Sequence, residues 1–409
     1  MPEAPTEPKP EPELLLAAAV CDPWGELFRP GALAVRGGEV AAWGPADDLE
    51  RTWAGARRVD LGPVVVLPGM VNAHAHLDLA GRGPRPYGGD FLGWVRAEVL
   101  PMRRAAPGPA LAAVRAAAAA SLAAGVEAIG DVAGVPGARA ALRGTGLRGV
   151  SYEEVFGLRP AAVERLAGRA AEVAAEGEAG GVAPGLQPHA PYSVSPAGYA
   201  ACVGTGLRLS THLAELAEEA ELVARGTGPM RAMLGEAGLW GPELEEAYGG
   251  GRSPVAWLAP SLAAAAGRFV VAHANHVSDE DIATLAATGT SVAYCPVASA
   301  YFGHRGHRHR ELLDAGVNVA LGTDSVLCQP PDEPQPHGIL PQVRTLLRRD
   351  GTEPATLVRM ACANGFAALG LPVRTTRLLL LPVDADAGDP LRRALAGGAP
   401  PRTVALGPV

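Results

Sequence analysis

The residues whose type and spacing most clearly indicate a chemical function are His74 and His76, in the apolar segment VVVLPGMVNAHAHLD (64–78). The segment is typical of a buried β-strand, and side chains at positions i and i+2 of a strand point to the same side. Two imidazoles that converge from one strand end suit a single metal ion, because histidine is the commonest metal ligand. Two histidines that alternate by chance would give the same pattern. This segment alone therefore leaves a metal site and a structural role about equally open.

Other predicted strands also end in side chains that can bind a metal or move a proton. A buried polar group without a partner costs about 1–3 kcal/mol, so repeated strand ends of this kind are difficult to explain as packing. The side chains are His74 and His76 after the first strand, His189 after the fourth, His212 and Glu215 after the fifth, His273 and His276 after the sixth, and Asp324 after the eighth.

These side chains need a scaffold that brings strand ends together. Between residues 67 and 370, strand-like and helix-like segments alternate, which predicts an α/β fold of the parallel (β/α)8 TIM-barrel class. Catalytic groups of such barrels lie at the carboxyl ends of the strands. The strand-like segments are 69–76, 126–132, 148–155, 184–190, 207–214, 268–274, 291–296 and 318–325.

The two ends of the chain predict a second, smaller domain. Residues 14–66 contain short apolar strands, with Gly37-Gly38 marking a hairpin. Residues 371–409 are strand-like again, so we expect them to complete a small β-sandwich with the N-terminal part. Residues 1–13 are rich in Pro and Glu and lack the pattern of a signal peptide, which predicts a disordered tail.

Composition excludes several classes of function. Hydrophobic residues make up 48% of the chain and the net charge is −8, which fits a soluble globular protein and gives no basic surface for nucleic acid or an anionic membrane. The five cysteines are scattered without a CxxC motif, which favours a reduced, cytoplasmic protein. The expected partner is therefore a small-molecule substrate.

Lysine is almost absent from the sequence. The only lysine is Lys9, in the predicted tail. A Schiff base, a P-loop lysine and a carbamylated lysine that bridges two metals are all excluded from the folded body.

The chain resembles the amidohydrolase superfamily, in the branch of metal-dependent deaminases and chlorohydrolases. Four motifs carry the resemblance in the expected order: PGMVNAHAH (68–76), THLAE (211–215), VAHANH (271–276) and LGTDS (321–325). Members described as aminofutalosine-deaminase-like are the most similar, through FLGWV (91–95), PHAPYSVSP (188–196), GTGPMRAML (226–234) and GRSPVAWL (251–258).

The resemblance implies a role for each residue of the site. One divalent metal, expected to be zinc although iron(II) or manganese would also fit, would be bound by a set of three imidazoles and one carboxylate. Glu215 would carry the proton from the attacking water to the ring nitrogen, and His273 would hold the hydroxide or polarise the substrate. Asp324 would also accept a proton from the water. The metal ligands would be His74, His76, His212 and Asp324.

Substrate contacts follow from the same resemblance. His189 and Tyr192 occupy positions that contact substrate in the family. Glu154, at the end of the third strand, is a further candidate, although the sequence names no partner for its carboxylate. Phe91 and Trp94 either cap a heterocycle by stacking or pack a lid helix.

The sequence thus predicts a hydrolytic deaminase of an aminated purine nucleoside or a related N-heterocycle. Two alternatives remain: hydrolysis of a C–Cl or cyclic amide bond on the same fold, and a degenerate barrel without activity, against which the complete ligand set argues. The signature of nucleic-acid-editing deaminases is absent.

Three features depart from the family pattern or lack an assigned role. The segment 371–387 is shorter than in members of the family, and the segment that follows LGTDS is rich in Pro and acidic residues. The loop that contains His304, His307 and His309 is either solvated or a rim that binds a polar substrate. The oligomeric state is open, although members are often homodimers.

Overall fold

The N-terminal apolar segments form the first seven strands of the computed structural model, which describes residues 11–384 and 388–407. The predicted hairpin is present: Gly37 and Gly38 have φ values of +61° and +78° and join two antiparallel strands, as a two-residue turn requires. The elements are β1 (Glu13–Ala17), β2 (Ala19–Cys21), β3 (Leu27–Phe28), β4 (Gly31–Arg36), β5 (Glu39–Pro45), α1 (Ala46–Thr52), β6 (Arg57–Asp60) and β7 (Val64–Pro68).

Eight parallel strands follow in sequence order and form one sheet, which confirms the predicted barrel. A bridge between Ala75 and Asp324 joins the first and last of these strands, so the sheet is nearly closed. The strands are β8 (Met70–Ala75), β9 (Val126–Ala133), β10 (Arg148–Val155), β11 (Val182–Pro188), β12 (Arg208–Leu213), β13 (Phe269–His273), β14 (Ser291–Tyr294) and β15 (Val319–Leu321).

Helices connect the barrel strands. The first of them continues from α2 through a π-helical turn (Val95–Val99) into α3, and it lies over the site described below. The helices are α2 (Phe91–Trp94), α3 (Leu100–Arg104), α4 (Pro107–Ala123), α5 (Ala138–Leu142), α6 (Pro160–Ala174), α7 (Pro196–Gly204), α8 (Ala217–Arg225), α9 (Pro229–Glu236), α10 (Pro242–Ala247), α11 (Pro254–Ala265), α12 (Asp279–Ala287), α13 (Pro296–Tyr301) and α14 (His309–Asp314).

After the barrel, the chain returns to the small β-structure. The helical segment that follows α15 is divided at Cys362, whose φ and ψ of −126° and −90° are not helical. The remaining elements are α15 (Leu340–Asp350), α16 (Pro354–Ala361), α17 (Ala363–Leu369), β16 (Arg377–Pro382), α18 (Pro390–Ala396) and β17 (Arg402–Ala405).

Two sheets outside the barrel form a sandwich from both ends of the chain. Their strand orders are β5-β4-β1-β6 and β17-β16-β7-β2-β3. Apolar side chains of both sheets share one core, including Leu33 of β4, Val66 of β7 and Leu380 of β16. Within 371–387, residues 371–384 include β16, whereas 385–387 lie outside the described residues. The domain boundaries at 66/67 and 370/371 stay predictions.

The segment 64–78 contributes one strand to the sandwich and one strand to the barrel. It is divided at Gly69 into β7, which belongs to the sandwich, and β8, which begins the barrel. A Cβ atom at Gly69 would lie 2.7 Å from the Glu127 carboxylate, so only glycine allows the chain to pass from one sheet to the other here. The predicted tail, 1–13, lies mainly outside the described residues, and β1 already begins at Glu13. Among the described helices, none combines the length and hydrophobicity that would be needed to cross a membrane.

Candidate active site

The barrel brings the four predicted metal ligands together at its carboxyl end. Nε2 of His76 lies 3.3 Å from Nε2 of His212, and 3.5 Å from Oδ1 of Asp324. Nε2 of His74 lies 3.8 Å from the same carboxylate oxygen. His273 lies close enough to His74 and His212 for one nitrogen of each to approach a common ion.

Hydrogen bonding around these rings fits a cation. Both ring nitrogens of the buried His74 lack a hydrogen-bond partner among the described residues. Buried polar atoms are almost always paired, so an unpaired imidazole in a polar cluster indicates a missing ligand. Nδ1 of His212 lies 3.0 Å from the carbonyl oxygen of His189, which fixes the tautomer in which Nε2 carries the free lone pair. The donor set of three imidazoles and one carboxylate therefore fits a divalent metal.

Burial determines the charge state of this cluster. It lowers the pKa of His74, His76 and His273 well below 6.5 and that of His212 to about 3, so the imidazoles are neutral electron-pair donors at pH 7. Burial also raises the pKa of Asp324 to about 6. A nearby cation would stabilise the charged form of the Asp324 carboxylate and so lower its pKa, and it would be attracted by the lone pairs of the neutral rings.

Unusual backbone conformations mark the same strand ends. Ala214, His273, Ala274 and Asp324 have φ values of 51°, 74°, 52° and 59°, although none is glycine. Each such residue costs of order 1 kcal/mol or more, and clusters of this kind occur at active sites. The backbone is therefore locally strained at the strand ends that position these side chains.

Glu215 lies beside the ligands. Its Oε1 is 3.7 Å from Nε2 of His273, and burial raises its pKa well above 4.5, with smaller contributions from Asp324 and Glu219. The Glu219 carboxylate accepts hydrogen bonds from the backbone N–H groups of Ala214 and Glu215, at 3.0 and 2.8 Å. Glu219 thus holds the loop that presents Glu215. A carboxyl group with a raised pKa can both accept and donate a proton near neutral pH.

The predicted substrate residues line one cavity with the ligands. This cavity has a volume of about 1040 Å³ and includes His189, Tyr192, Glu154, Phe91 and Trp94 in its wall. Nδ1 of His189 lies 2.7 Å from the Ser193 hydroxyl.

The helix with the π-helical turn presents its aromatic side chains both to the cavity and to a packed cluster. Phe91 and Trp94 contact Phe302, with ring centroids 5.2 Å apart in both pairs. The two rings therefore pack the helix in place and line the cavity, and their stacking on a heterocycle stays a prediction.

Arg103 is the main residue that the sequence analysis missed. It is the partner that Glu154 lacked, since its guanidinium lies 3.3 Å from Oε2 of Glu154, and it also pairs with Asp78. Asp131, at the end of β9, extends this buried group and accepts a hydrogen bond from the backbone of Leu77. The signals that could have found Asp78 and Asp131 are their positions at strand ends, whereas nothing in the sequence marks Arg103.

We expect Arg103→Ala to lower the free energy of unfolding by about 3–5 kcal/mol, because it leaves buried carboxylates without their cation. Burial already raises the pKa of Asp78 to about 6 and that of Asp131 to about 7, so charging these groups costs the folded state stability as the pH rises. The loss should therefore be larger at pH 8 than at pH 5, where the Asp78 and Asp131 carboxyl groups are largely protonated. Chemical denaturation at both pH values measures it.

The exposed neighbour Arg104 is the matched control. Arg104→Ala should change stability by less than about 0.5 kcal/mol, as surface substitutions usually do. An Arg103→Ala protein as stable as Arg104→Ala at pH 8 would contradict the assignment of Arg103 as the buried counter-ion.

The segment after Asp324 also supports the site. The Cys328 thiol lies 3.6 Å from Oδ2 of Asp324 and 2.9 Å from the Ser325 carbonyl oxygen. Oδ1 of Asp324 is the oxygen nearest His74 and His76, so the thiol contacts the opposite oxygen of the same carboxylate. The unusual sequence that follows LGTDS thus provides a buried support for this side chain.

Four further histidines lie behind or outside the cavity. Nε2 of His307 donates to the His273 carbonyl oxygen at 2.8 Å, and its ring stacks on Tyr294. His309 lies 3.1 Å from the Thr352 hydroxyl. His276 is exposed and contacts His304 edge-on. None of these rings lines the described cavity, so the loop supports His273 from behind.

Comparison with known proteins agrees with this geometry. The model of the Amidohydrolase family matches residues 65–377, which include all four predicted metal ligands. The chain belongs to the amidohydrolase family. An aminodeoxyfutalosine deaminase of Deinococcus radiodurans is 31% identical over 366 residues, 85% of this chain and 83% of that protein.

Two further relatives extend the comparison. A 5-methylthioadenosine/S-adenosylhomocysteine deaminase of Symbiobacterium thermophilum is 31% identical over 319 residues, and the match spans 73% of this amidohydrolase but 65% of that relative. The solved structure of Helicobacter pylori aminofutalosine deaminase superposes with a TM-score of 0.76 at 19% identity, covering 94% of this chain and 95% of that one. At this identity the structural likeness shows the shared fold.

Proposed function

We propose that this amidohydrolase is a hydrolytic deaminase of aminated purine nucleosides, in which water replaces the ring amino group and ammonia leaves. The observation that carries the proposal is the convergence of His74, His76, His212 and Asp324 beside Glu215, at the end of a cavity that all of them except His74 line. The names of the two relatives in Deinococcus radiodurans and Symbiobacterium thermophilum support a nucleoside substrate rather than a free base.

A divalent metal, for which zinc suits this donor set, supplies a water of lowered pKa when it is bound. His74, His76, His212 and Asp324 are the residues that would hold it. Their rings are neutral and their lone pairs converge, so no proton has to be displaced from the imidazoles at pH 7.

Glu215 carries the proton in this proposal. It takes a proton from the attacking water and delivers it to the ring nitrogen, and then assists the departure of ammonia. His273, with Nε2 3.7 Å from the Glu215 carboxylate, orients the water or polarises the ring. Asp324, whose pKa burial raises to about 6, is the second proton acceptor next to the same water.

The neighbouring side chains position the nucleoside. His189, Tyr192 and Glu154 provide polar groups, and Phe91 and Trp94 provide a flat apolar surface for the purine. Glu154 is held by Arg103, which fixes its orientation toward the cavity. All five cysteines are buried and none is in a disulfide, which supports a reducing, cytoplasmic setting.

The test is ammonia release from the zinc-loaded protein with adenosine, 5′-methylthioadenosine, S-adenosylhomocysteine, aminodeoxyfutalosine, guanine and cytosine. We expect one metal per chain and ammonia from at least one of the adenine nucleosides, with no release from cytosine. One metal per chain without ammonia from any compound would reject deamination and return attention to C–Cl or cyclic amide hydrolysis. A protein that holds no metal after reconstitution would reject the site itself.

A further inference from the structure

A second cavity borders the segment that follows Asp324. Its volume is about 570 Å³, within the range of about 300–1,000 Å³ that holds small-molecule ligands. Three parts of the chain form most of its wall: α13, the segment 328–334 and α15. Of the described residues, none lines both this cavity and the catalytic cavity, so the substrate contacts proposed above do not account for it.

Two arginines on this cavity lack an acidic partner. Arg344 is only 8% exposed and donates through Nε and Nη2 to the carbonyl oxygens of Leu395 and Ala399, at 3.2 and 2.7 Å. Its Nη1 has no partner within the described ranges. Arg348 follows one turn later in α15, and no carboxylate of the described residues lies within 4 Å of either guanidinium group. A buried charge without a counter-ion is costly, so these cations favour an anion from solution.

The neighbouring charges limit which anion fits. Burial lowers the pKa of Arg344 and the charge of Arg348 lowers it further, whereas Glu333 raises it. Glu333 also lines the cavity, and its Oε1 accepts a hydrogen bond from the backbone N–H of Gln335 at 3.0 Å, which holds the carboxylate in the wall. Two cations and one carboxylate leave one net positive charge. This balance suits a monoanion better than a phosphate dianion.

The rest of the wall is mainly apolar and rigid. Pro330, Pro331 and Pro334 line the cavity, together with Tyr301 and Pro341. Proline side chains lose no rotamer freedom when a ligand covers them, so little entropy opposes the burial of an apolar surface against them. The wall therefore favours an anion with an apolar body.

The same wall supports the catalytic site from behind. The Cys328 thiol, which borders the second cavity, lies 3.6 Å from Oδ2 of Asp324. Nε2 of Gln329, the next residue of the wall, donates to the Thr323 carbonyl oxygen at 2.7 Å. A ligand that shifts or orders this segment therefore acts directly on the residues that hold the carboxylate of a predicted metal ligand.

We propose that the second cavity is an effector site for a small organic monocarboxylate, whose carboxylate binds Arg344 and Arg348 and whose apolar body covers the proline wall. Occupancy of the site changes the metal affinity of the catalytic site through Cys328 and Gln329. Coupling of this kind is reciprocal, so metal loading changes the affinity for the monocarboxylate by the same factor. The role is independent of the reaction that the catalytic site performs.

Three pairs of probes test the site. They are butanoate, hexanoate and 3-phenylpropanoate, each with its primary amide, which has nearly the same size but no charge. Calorimetry on the full chain measures the affinities. We expect at least one acid to bind about tenfold or more tightly than its amide, since 1.4 kcal/mol of charge-assisted hydrogen bonding corresponds to tenfold. Absence of a preference in all three pairs would overturn the site, as would inorganic phosphate that binds as tightly as the best acid.

Matched arginine variants locate the binding. Arg348→Gln should lower the preference for the acid by about fivefold or more and leave the fold intact, because this guanidinium has no acidic partner in the described part of the chain. Arg104→Gln removes a cation of the catalytic cavity instead and should keep the wild-type preference. The reverse pattern would place the acid in the catalytic cavity and overturn the proposal.

Competition with a chelator of known zinc affinity, with and without the saturating acid, measures the effector role. We expect the acid to change the zinc affinity by about fivefold or more, the lower end of usual couplings. The change should be lost in Arg348→Gln, whereas an acid that bound the metal directly would act equally on this variant. An unchanged zinc affinity would overturn the effector role. A changed zinc affinity without ammonia release from any nucleoside would support the effector site and reject only the proposed deamination.

Discussion

The Glu215→Gln variant is expected to keep its metal and lose turnover by about 10²–10⁴-fold, the range that a positioned general acid–base group contributes. Glutamine has the size of glutamate, and Glu215 is not among the side chains that converge as ligands, so metal content should not change. The amide cannot take a proton from water and pass it to the ring. Ammonia release at saturating substrate, together with elemental analysis, measures both properties.

Glu218→Gln is the control for this experiment. Glu218 belongs to the same acidic segment but does not line the cavity, so its substitution should leave kcat within about twofold. A Glu215→Gln enzyme that retained at least a tenth of the wild-type kcat would contradict the proton-transfer role. Loss of metal in the variant would instead show that the carboxylate is part of the ligand set.

The second large effect is expected for His212→Ala, which should weaken metal binding by at least about 100-fold and reduce activity in parallel. Loss of a residue that only supports a metal ligand lowers metal affinity by about 10–100-fold, and loss of the ligand itself should lower it further. His212 is held by its Nδ1 contact to the His189 carbonyl oxygen, so its Nε2 is committed to the cluster. Competition with a chelator of known affinity gives the binding constant, and circular dichroism confirms that the variant is folded.

His276→Ala provides the comparison on a neighbouring strand. His276 is exposed and lies beyond the end of β13, so its loss should leave one metal per chain. Stoichiometric metal in His212→Ala with wild-type affinity would contradict the ligand assignment. Equal losses in His212→Ala and His276→Ala would mean that the loops of this region, rather than one donor atom, determine metal binding.

The parts of the site that the sequence revealed are those that depend on short-range geometry. His74 and His76 converge because alternate residues of a strand share a side, and the barrel period places His212, His273 and Asp324 at the same end. The same logic predicted the eight parallel strands. Each of these inferences needs only the local pattern and the rule for parallel sheets.

The parts that the sequence did not reveal depend on tertiary approach. Arg103 reaches Asp78 and Glu154 because a helix with a π-helical turn crosses the strand ends, and no local pattern specifies where such a helix lies. Gly134 makes this possible, since a Cβ atom there would overlap the Arg103 guanidinium. Phe156 is likewise 53% exposed because of how the neighbouring elements pack around it, which a sequence pattern cannot show.

The pairing of β7 with β16 also has a consequence for biosynthesis. Val64–Pro68 emerges from the ribosome long before its antiparallel partner Arg377–Pro382. Until then one edge of β7 is unpaired and apolar, and such edges recruit other chains. The intervening barrel strands pair with their neighbours in sequence and are joined at the ends by the bridge between Ala75 and Asp324, so the barrel can form before β16 is made. A ribosome that stalls or terminates shortly after α17 would release a chain with its catalytic end assembled and its aggregation-prone edge exposed.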